Sequence, residues 1–305
     1  MSLGNTLERL AKHLVLAPRI LARYGCLRPR RVRLTDCQHW VHIDPTDGRA
    51  VKKFILDPIR GRVSPPLAFW RAFNAHLEPS VSIDVGVNYG ECLFGTCYPS
   101  ATRVFGFEAN PRLIPYLEKS LAGHPDAQRI TLTHGLVSDH AAQNIPFYVD
   151  PAWSGGASAI RALNDGPGTL SFHIASRTLD SVIPRVLCEG RRILFKMDIE
   201  GYEPRAFRGF WDSLAVAELA VGFVEFDSCY ITAAGDSPEE YFQRLQERFD
   251  VYRTHDRRGQ TILPVRQYSS LPLSRATDGR VHTDLILATR GTPPAHWLPS
   301  TYAVG

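Results

Sequence analysis

The stretch Val81–Gly90, which reads VSIDVGVNYG, decides the fold. Its first half is a short apolar run, which is typical of a buried strand. Asp84 stands near the end of that run, and Gly86 and Gly90 follow in a turn with the spacing G-x-x-x-G. The dinucleotide fingerprint G-x-G-x-x-G has a second glycine where this chain has Asn88, so the turn gives poor support to a pyrophosphate cradle. The stretch therefore predicts a strand that opens into a ligand-binding turn with an acidic end.

Strand-like and helix-like segments alternate outward from this turn. A helix is predicted to begin after Asn110, its N-cap, with Pro111 at the first helical position, and another at the capping box Ser237–Glu240. This alternation predicts an α/β domain on a mostly parallel sheet that is covered on both faces. The predicted strands are Val81–Val85, Val104–Phe107, Ile130–Leu136, Ile193–Met197, Leu219–Phe226 and Val281–Thr289.

A long segment, residues 140–190, separates the third and fourth strands. It contains two strand-like runs, Ile145–Val149 and Thr169–Ile174, on either side of the glycine-rich stretch Trp153–Ser158. We expect a small β insertion here, with Trp153–Ser158 as a mobile loop. Trp153 either covers one face of a bound ligand, such as an acceptor molecule or a sugar, or is an ordinary packing residue.

Composition excludes several classes of protein. The chain has 305 residues, of which 44% are hydrophobic and 22% charged. This composition is typical of a globular protein that can bury a large core. The longest apolar run, Leu219–Val224, is far shorter than the ~18 residues of a membrane span. A net charge of +4 is small for a dedicated nucleic-acid-binding protein. Six cysteines without a CxxC pair, and no recognisable signal peptide, predict the reducing cytoplasm.

Charge divides the chain into unequal parts. Residues 1–60 contain 12 Lys and Arg against 5 Asp and Glu, whereas the remainder has a small acidic excess. We predict a basic, partly helical N-terminal accessory region at 1–75, a ligand-binding α/β domain at 76–292 and a C-terminal tail at 293–305. Residues 6–24 are predicted to be a helix that Pro18 breaks or kinks. Its basic residues leave peripheral membrane contact, docking on its own domain and homo-oligomer contact as alternatives.

Acidic residues at strand ends indicate the kind of ligand. Asp84 would repel an anion and suits a cationic ligand with an amino-acid tail, such as S-adenosylmethionine (SAM), to which Gly86 would allow close backbone approach. Glu108, at the end of the second strand, has acceptors for both hydroxyls of a ribose, or else it favours the following helix N-terminus. Ser138 and Asp139, after the third strand, either meet an adenine edge or form a surface turn.

Four blocks of sequence carry a resemblance to a known family. They are SIDVGVNYG at 82–90, VFGFEANP at 104–111, LFKMDIEGYE at 194–203 and HTDL at 282–285. Together they resemble the FkbM family of SAM-dependent methyltransferases over roughly residues 78–290. Two mild departures are Val87, where most members have Ala, and Ala109, where a Pro often stands.

The resemblance implies a Rossmann-like class I methyltransferase fold with an antiparallel last strand, and SAM-dependent O-methylation of a saccharide, glycolipid or natural-product hydroxyl. It implies SAM as cofactor and a small-molecule or glycan acceptor. Two alternatives stay open, a nicotinamide-dependent oxidoreductase on a Rossmann fold and a non-catalytic SAM-binding scaffold. The residues predicted to bind SAM are Asp84, Gly86, Asn88, Tyr89, Gly90, Glu108, Ala109, Ser138, Asp139 and Asp198.

Methyl transfer to an alcohol requires a base, because the hydroxyl proton must leave. Ligands lie outside the carboxyl ends of parallel strands, which places Asp198 and Glu200 after the fourth strand and Glu225 in the fifth at one mouth. An antiparallel last strand would begin at the same edge and bring His282 there. His282 is our first candidate for the base, since its ordinary pKa suits the task. Asp198, Glu200 and Glu225 follow.

Each of these residues also has a purely structural interpretation. Asp198 would pair with Lys196 on the same strand face, Glu200 would favour the next helix N-terminus, and His282 would be an ordinary strand-end histidine. Asp198, Glu225 and Asp227 have the oxygen ligands that Mg²⁺ prefers. Acids at strand mouths have other uses, so we expect no metal.

Overall fold

The computed structural model describes residues 16–34, 39–256, 259–274 and 279–305. The strands are β1 Arg31–Val32, β2 Val41–His42, β3 Val81–Val85, β4 Arg103–Glu108, β5 Ile130–His134, β6 Leu136–Val137, β7 Ala142–Asp150, β8 Trp153–Ser158, β9 Leu170–Arg177, β10 Arg192–Met197, β11 Leu219–Asp227, β12 Phe249–Thr254, β13 Thr261–Pro264, β14 His282–Thr289 and β15 Ala303–Val304.

The α-helices are α1 (residues 16–24), α2 Gly48–Ala50, α3 Asp57–Ile59, α4 Pro65–Leu77, α5 Ile114–Ala122, α6 Leu179–Val182, α7 Glu203–Arg208, α8 Trp211–Val216, α9 Ser228–Ala233 and α10 Pro238–Arg248. A π-helix, Val51–Leu56, joins α2 to α3. Single 3₁₀ turns lie at Ala127–Arg129, Arg161–Leu163, Arg185–Leu187, Tyr268–Ser270 and Pro294–His296.

A nine-stranded sheet in the order β15-β13-β12-β14-β11-β10-β3-β4-β5 forms the centre of the molecule. The five strands from β11 to β5 are parallel. Strand β14 runs antiparallel to both of its neighbours, β11 and β12. The α/β class, the mostly parallel sheet and the antiparallel final long strand are therefore confirmed. Strands β12, β13 and β15 extend the sheet beyond the predicted set.

Both faces of the sheet are covered. Phe195 and Val224 face a core that contains Phe207 and Phe210, which lie in and directly after α7. On the opposite face, Phe223 packs against α4, where the ring of Phe69 lies 5.2 Å away. These two apolar layers explain why the parallel strands read as nearly continuous hydrophobic runs.

Two helix predictions have different outcomes. Ser237 accepts a hydrogen bond from the Glu240 amide at 3.3 Å and caps α10, as predicted. The helix expected to start after Asn110 begins instead at Ile114. The Asn110 side chain accepts from the Arg112 amide at 3.1 Å, which stabilises a separate turn before the helix.

The predicted N-terminal helix is described only in part. Residues 6–15 of it lie outside the described residues. Residues 16–24 form one helix that contains Pro18. That Pro18 breaks or kinks the longer predicted helix stays a prediction. No helix among the described residues is both long and apolar enough to cross a membrane.

The small β insertion is present as a four-stranded sheet in the order β6-β9-β7-β8. The predicted third strand ends at His134, and Leu136–Val137 belongs to this second sheet. The prediction of a mobile loop at Trp153–Ser158 is wrong, because this stretch is strand β8, paired with β7. Backbone pairing outweighs the low strand propensity of its two glycines.

We call residues 47–59 the N-terminal roof, because they cover the end of the central sheet. The roof is joined to the β7–β8 hairpin at its first turn. The Gly48 amide donates to the Ala152 carbonyl at 2.9 Å, and the Ser154 amide donates to the Asp47 carboxylate at 3.2 Å. The Trp153 ring lies against Gly48. The accessory region and the insertion thus meet above the sheet.

The three-part domain division stays a prediction. The expected boundary between residues 75 and 76 lies inside α4, whose Phe73 packs near Trp297 with ring centroids 6.2 Å apart. Trp297 is fully buried, although it belongs to the predicted C-terminal tail. All three parts contribute side chains to one core.

Candidate functional site

A cavity opens at the carboxyl ends of β3, β4 and β10. Clefts at this edge of an α/β sheet are where such folds bind their ligands. The sheet supplies its floor, the N-terminal roof and β8 supply its cover, and residues Gly135–Val137 close one end. Of the predicted residues, Asp84, Gly86, Asn88, Tyr89, Glu108, Ala109, Asp198 and Glu200 line it.

The turn after β3 presses closely against the end of β10. Gly86 has φ +82°, and a Cβ there would collide with the Asp198 carbonyl oxygen. Asn88 also has a positive φ, 52°, which asparagine tolerates better than most residues. Gly90 lies behind the cavity wall, where a Cβ would collide with the Phe94 ring. Both glycines are therefore required by close packing, and Asn88 replaces a glycine without losing the turn.

Glu108 ties the first two strand-end turns together. Its Oε2 accepts from the Asn88 amide and its Oε1 from the Asn110 amide, both at 2.7 Å. Burial raises the pKa of Glu108 to about 7, although the two amides oppose that rise. Each carboxylate oxygen keeps a second lone pair, and Glu108 lines the cavity, so acceptors remain for the two hydroxyls of a ribose.

Asp84 is half of a buried ion pair. Lys196 Nζ lies 3.2 Å from Asp84 Oδ1, and it also donates to the Gly86 carbonyl at 2.9 Å. Burial raises the pKa of Asp84, and the Lys196 charge opposes this. Asp84 Oδ2 is buried, and a backbone hydrogen bond from Leu93 also acts to lower the pKa of this carboxyl group. Contact of Asp84 with the ammonium group of SAM stays a prediction.

Asp198 is more available than its structural interpretation implied. Lys196 lies closer to Asp84, and its distance to Asp198 Oδ2 is 3.9 Å. Burial would raise the pKa of Asp198, but the charges of Lys196, Arg49 and Lys53 lower it. Asp198 is therefore an anion at the cavity wall.

Asp198, Glu200 and Glu225 form what we call the acidic trio, in which one carboxylate oxygen of each lies within 4.8 Å of the others. Burial and the Asp198 charge raise the pKa of both Glu200 and Glu225 well above their ordinary values. Protons shared between these groups can therefore offset the repulsion among the three carboxylates. Asp227, which the sequence grouped with the candidate Mg²⁺ ligands, is outside it. The expectation of a metal-free site stays a prediction.

His282 lies on the outer side of the acidic trio. It is directly opposite Asp227 in the β11–β14 pairing, so the antiparallel strand begins at the predicted edge. Its Nδ1 is 2.8 Å from Asp227 Oδ2 and 4.0 Å from Glu225 Oε1. The hydrogen bond to Asp227 raises the pKa of His282, against the effect of partial burial. His282 and Glu225 do not line the cavity itself but continue its acidic wall outward.

Ser138 and Asp139 make other contacts. Ser138 Oγ donates to Asp139 Oδ1 at 3.1 Å, and Asp139 Oδ2 accepts from Arg208 Nε at 3.0 Å. The three residues before them, Gly135–Val137, line the cavity instead. Adenine contact by Ser138 and Asp139 stays a prediction.

The sequence analysis did not assign three cationic residues to the site. Lys196 was considered only as a partner of Asp198, although a lysine within the apolar run of β10 is a usable signal. Arg49 and Lys53 reach the cavity from the N-terminal roof. Nothing local in the sequence places them there, because their position depends on how the roof packs.

Residues 84–252 match the family model described as the methyltransferase FkbM domain, which is more than half of the chain. No curated protein matches this sequence.

Three methyltransferases are among the solved structures to which this chain is similar. A methyltransferase FkbM from Methylobacillus flagellatus KT is 17% identical, with a TM-score of 0.39 over 68% of this chain. This chain spans 42% of the length of that protein. A putative O-methyltransferase from Klebsiella pneumoniae is 11% identical, with a TM-score of 0.40 over 74% of this chain and 80% of that one. An O-methyltransferase from Bacillus cereus in complex with S-adenosylhomocysteine (SAH) is 11% identical, with a TM-score of 0.34 over 74% and 78%.

Proposed function

Because this chain belongs to the FkbM methyltransferase family, we propose that it transfers the methyl group of SAM to a hydroxyl of a saccharide, glycolipid or natural product. The observation that supports this most is a single continuous wall. Asp198 and Glu200 line the cofactor cavity, and through Glu225 the same wall reaches His282. A base candidate therefore lies next to the place where an acceptor would meet the cofactor.

Bound SAM supplies a sulfonium-activated methyl group that an acceptor oxygen attacks in line. The chain's own residues bind and orient. Glu108 offers acceptors for ribose hydroxyls, and the Asp84 carboxylate in the cavity lining suits an ammonium group. Ionised Asp198 makes the wall attractive to a cationic ligand. Holding the acceptor in a near-attack position can supply a large share of the rate enhancement.

The acidic residues and His282 differ in how well each could accept the proton of the acceptor hydroxyl. Burial and the Asp198 charge raise the pKa of Glu200 and Glu225, which favours their protonated forms over the carboxylates that a base needs. His282 is the better candidate for the hydroxyl proton, because imidazole ordinarily titrates nearest neutrality and the pKa raised by Asp227 makes its neutral form a stronger base. Asp198 is the second choice.

Family membership sets aside a nicotinamide-dependent oxidoreductase. The scaffold alternative differs in having no acceptor. It predicts SAM binding without turnover, so one experiment separates the two.

The test combines calorimetric titration of SAM and SAH with an assay of SAH formation. Hydroxylated saccharides and natural products would be screened against their deoxy and amino analogues. We expect micromolar SAM binding and SAH formation that requires the acceptor hydroxyl. His282→Gln should lower turnover by about 10²–10⁴-fold without changing SAM affinity, whereas His173→Gln, at an exposed histidine of β9, should change neither. SAM binding without turnover on any acceptor supports the scaffold, and equal turnover on amino analogues contradicts the preference for oxygen.

A further inference from the structure

Both carboxylate oxygens of Asp227, at the end of β11, are fully used in hydrogen bonds. Its Oδ1 accepts from the Cys229 amide at 3.0 Å, from the Tyr230 amide at 3.2 Å and from Arg280 Nε at 3.0 Å. Its Oδ2 accepts from a second Arg280 nitrogen and faces His282 Nδ1 at 2.8 Å. The residue is 1% exposed. No lone pair of this carboxylate is left over for a metal ion.

These contacts fix the protonation state of Asp227. Burial would raise its pKa, but the hydrogen bonds from His282, Arg280 and the α9 N-terminus hold that pKa below the ordinary value. An ionised carboxylate only accepts hydrogen bonds. The proton between the two side chains is therefore on Nδ1 of His282, and the neutral ring keeps its free lone pair on Nε2.

We propose that Asp227 is a positioning residue, which holds His282 in the Nδ1-protonated tautomer and so leaves Nε2 to take the proton of the acceptor hydroxyl. This inference rests on the proposed function. In that step the acceptor O–CH₃ bond forms while the methyl–sulfur bond breaks, and its electron pair stays on sulfur. The hydroxyl proton passes to Nε2, and the imidazolium later releases it to water.

Four ionisable groups face the His282 ring. Asp227 and Glu225 lie on β11, Asp284 lies on β14 beside it, and Arg280 precedes β14. The charges of Asp227 and Asp284 favour imidazolium and Arg280 disfavours it. Removing Asp227 should therefore move the titration of His282 to lower pH, whereas removing Arg280 should move it to higher pH.

The first test uses ¹⁵N NMR of the histidine rings in the full chain, with His282→Gln to assign the signal. We expect the neutral ring to be the Nδ1–H tautomer in the wild type. Asp227→Asn should lower the midpoint of the titration and change the tautomer, while its amide oxygen still caps α9. A wild-type Nε2–H tautomer, or a midpoint that Asp227→Asn leaves unchanged, would overturn the proposal. This readout needs no acceptor, so it stands apart from failure of the proposed function.

The second test is the pH dependence of kcat with an acceptor identified in the screen. Asp227→Asn should lower kcat by about 10²–10⁴-fold and shift its acidic limb to lower pH, and Arg280→Gln should shift that limb to higher pH. Asp236→Asn is the matched control, because Asp236 is another aspartate paired with arginines, Arg205 and Arg208. If Asp227 has only a structural role, the acidic limb of the kcat–pH profile should have the same midpoint in all variants. Full turnover by His282→Gln would overturn the role of Nε2.

Discussion

Single residues of the cavity proposed to bind SAM differ in how closely the backbone constrains them. Gly86 combines a left-handed conformation with contact against the Asp198 carbonyl, so even a methyl group has no room. We expect Gly86→Ala to weaken SAM binding by more than about tenfold, since a left-handed alanine costs about 1–2 kcal/mol before any collision. Gly156→Ala is the control, because a Cβ there meets nothing within 4 Å. Calorimetry with SAM measures both, and equal affinities would contradict the close contact.

The same acidic wall makes stability depend on pH at Asp284. Burial, and next the Asp198 charge, raise the pKa of Asp284 to about 6. Because the folded protein binds this proton more tightly than the unfolded chain does, Asp284 does not destabilise the fold below its ordinary pKa. It lowers the free energy of unfolding as the pH rises from there through about 6. Asp284→Asn should therefore stabilise the free protein by about 3 kcal/mol at pH 8 and change little near pH 4.

Thermal or urea unfolding of Asp284→Asn at both pH values checks this expectation. The exposed Asp165→Asn provides a control for removing one negative charge. A gain in stability that is equal at pH 4 and pH 8 would show that burial does not perturb Asp284.

At the scale of elements, the N-terminal roof depends on one side chain. Asp47 is buried and accepts from the Arg49 amide at 2.9 Å as well as from Ser154 of β8. Asp47→Ala removes both bonds and should weaken SAM binding by about 5–30-fold, or 1–2 kcal/mol, because the roof and β8 share the cavity lining. Calorimetry should show no change for Asp57→Ala, whose ion pair with Arg62 is at the far end of the same helical run.

The elements also show which parts of the fold could be predicted from the sequence. Strand β3 and its turn could be located from the sequence, because a buried apolar run and a turn with glycines at positive φ are local properties. Strand β8 was mistaken for a loop because its pairing with β7 is not local, and its glycines have low strand propensity. The ion pair between Asp84 and Lys196 joins residues 112 positions apart, which no spacing rule reveals.

For the whole molecule, the question is whether the predicted division at residue 75 separates a folding unit. A fragment of residues 76–305 would lack Phe69, Trp70 and Phe73, which are all buried in the shared core. Losing one buried aromatic side chain costs about 3–5 kcal/mol, and total stability is about 5–15 kcal/mol. We expect this fragment not to unfold cooperatively in circular dichroism. Cooperative unfolding with SAM binding would instead establish the predicted boundary.

The covered cavity also implies an order of events in time. The floor of the cavity lies beneath both the N-terminal roof and β8, whereas His282 lies outside, on its rim. An acceptor placed at the rim would obstruct passage of the cofactor beneath it. We therefore expect a compulsory sequence in which SAM enters first and SAH departs last, so that SAH inhibits competitively with SAM but not with the acceptor.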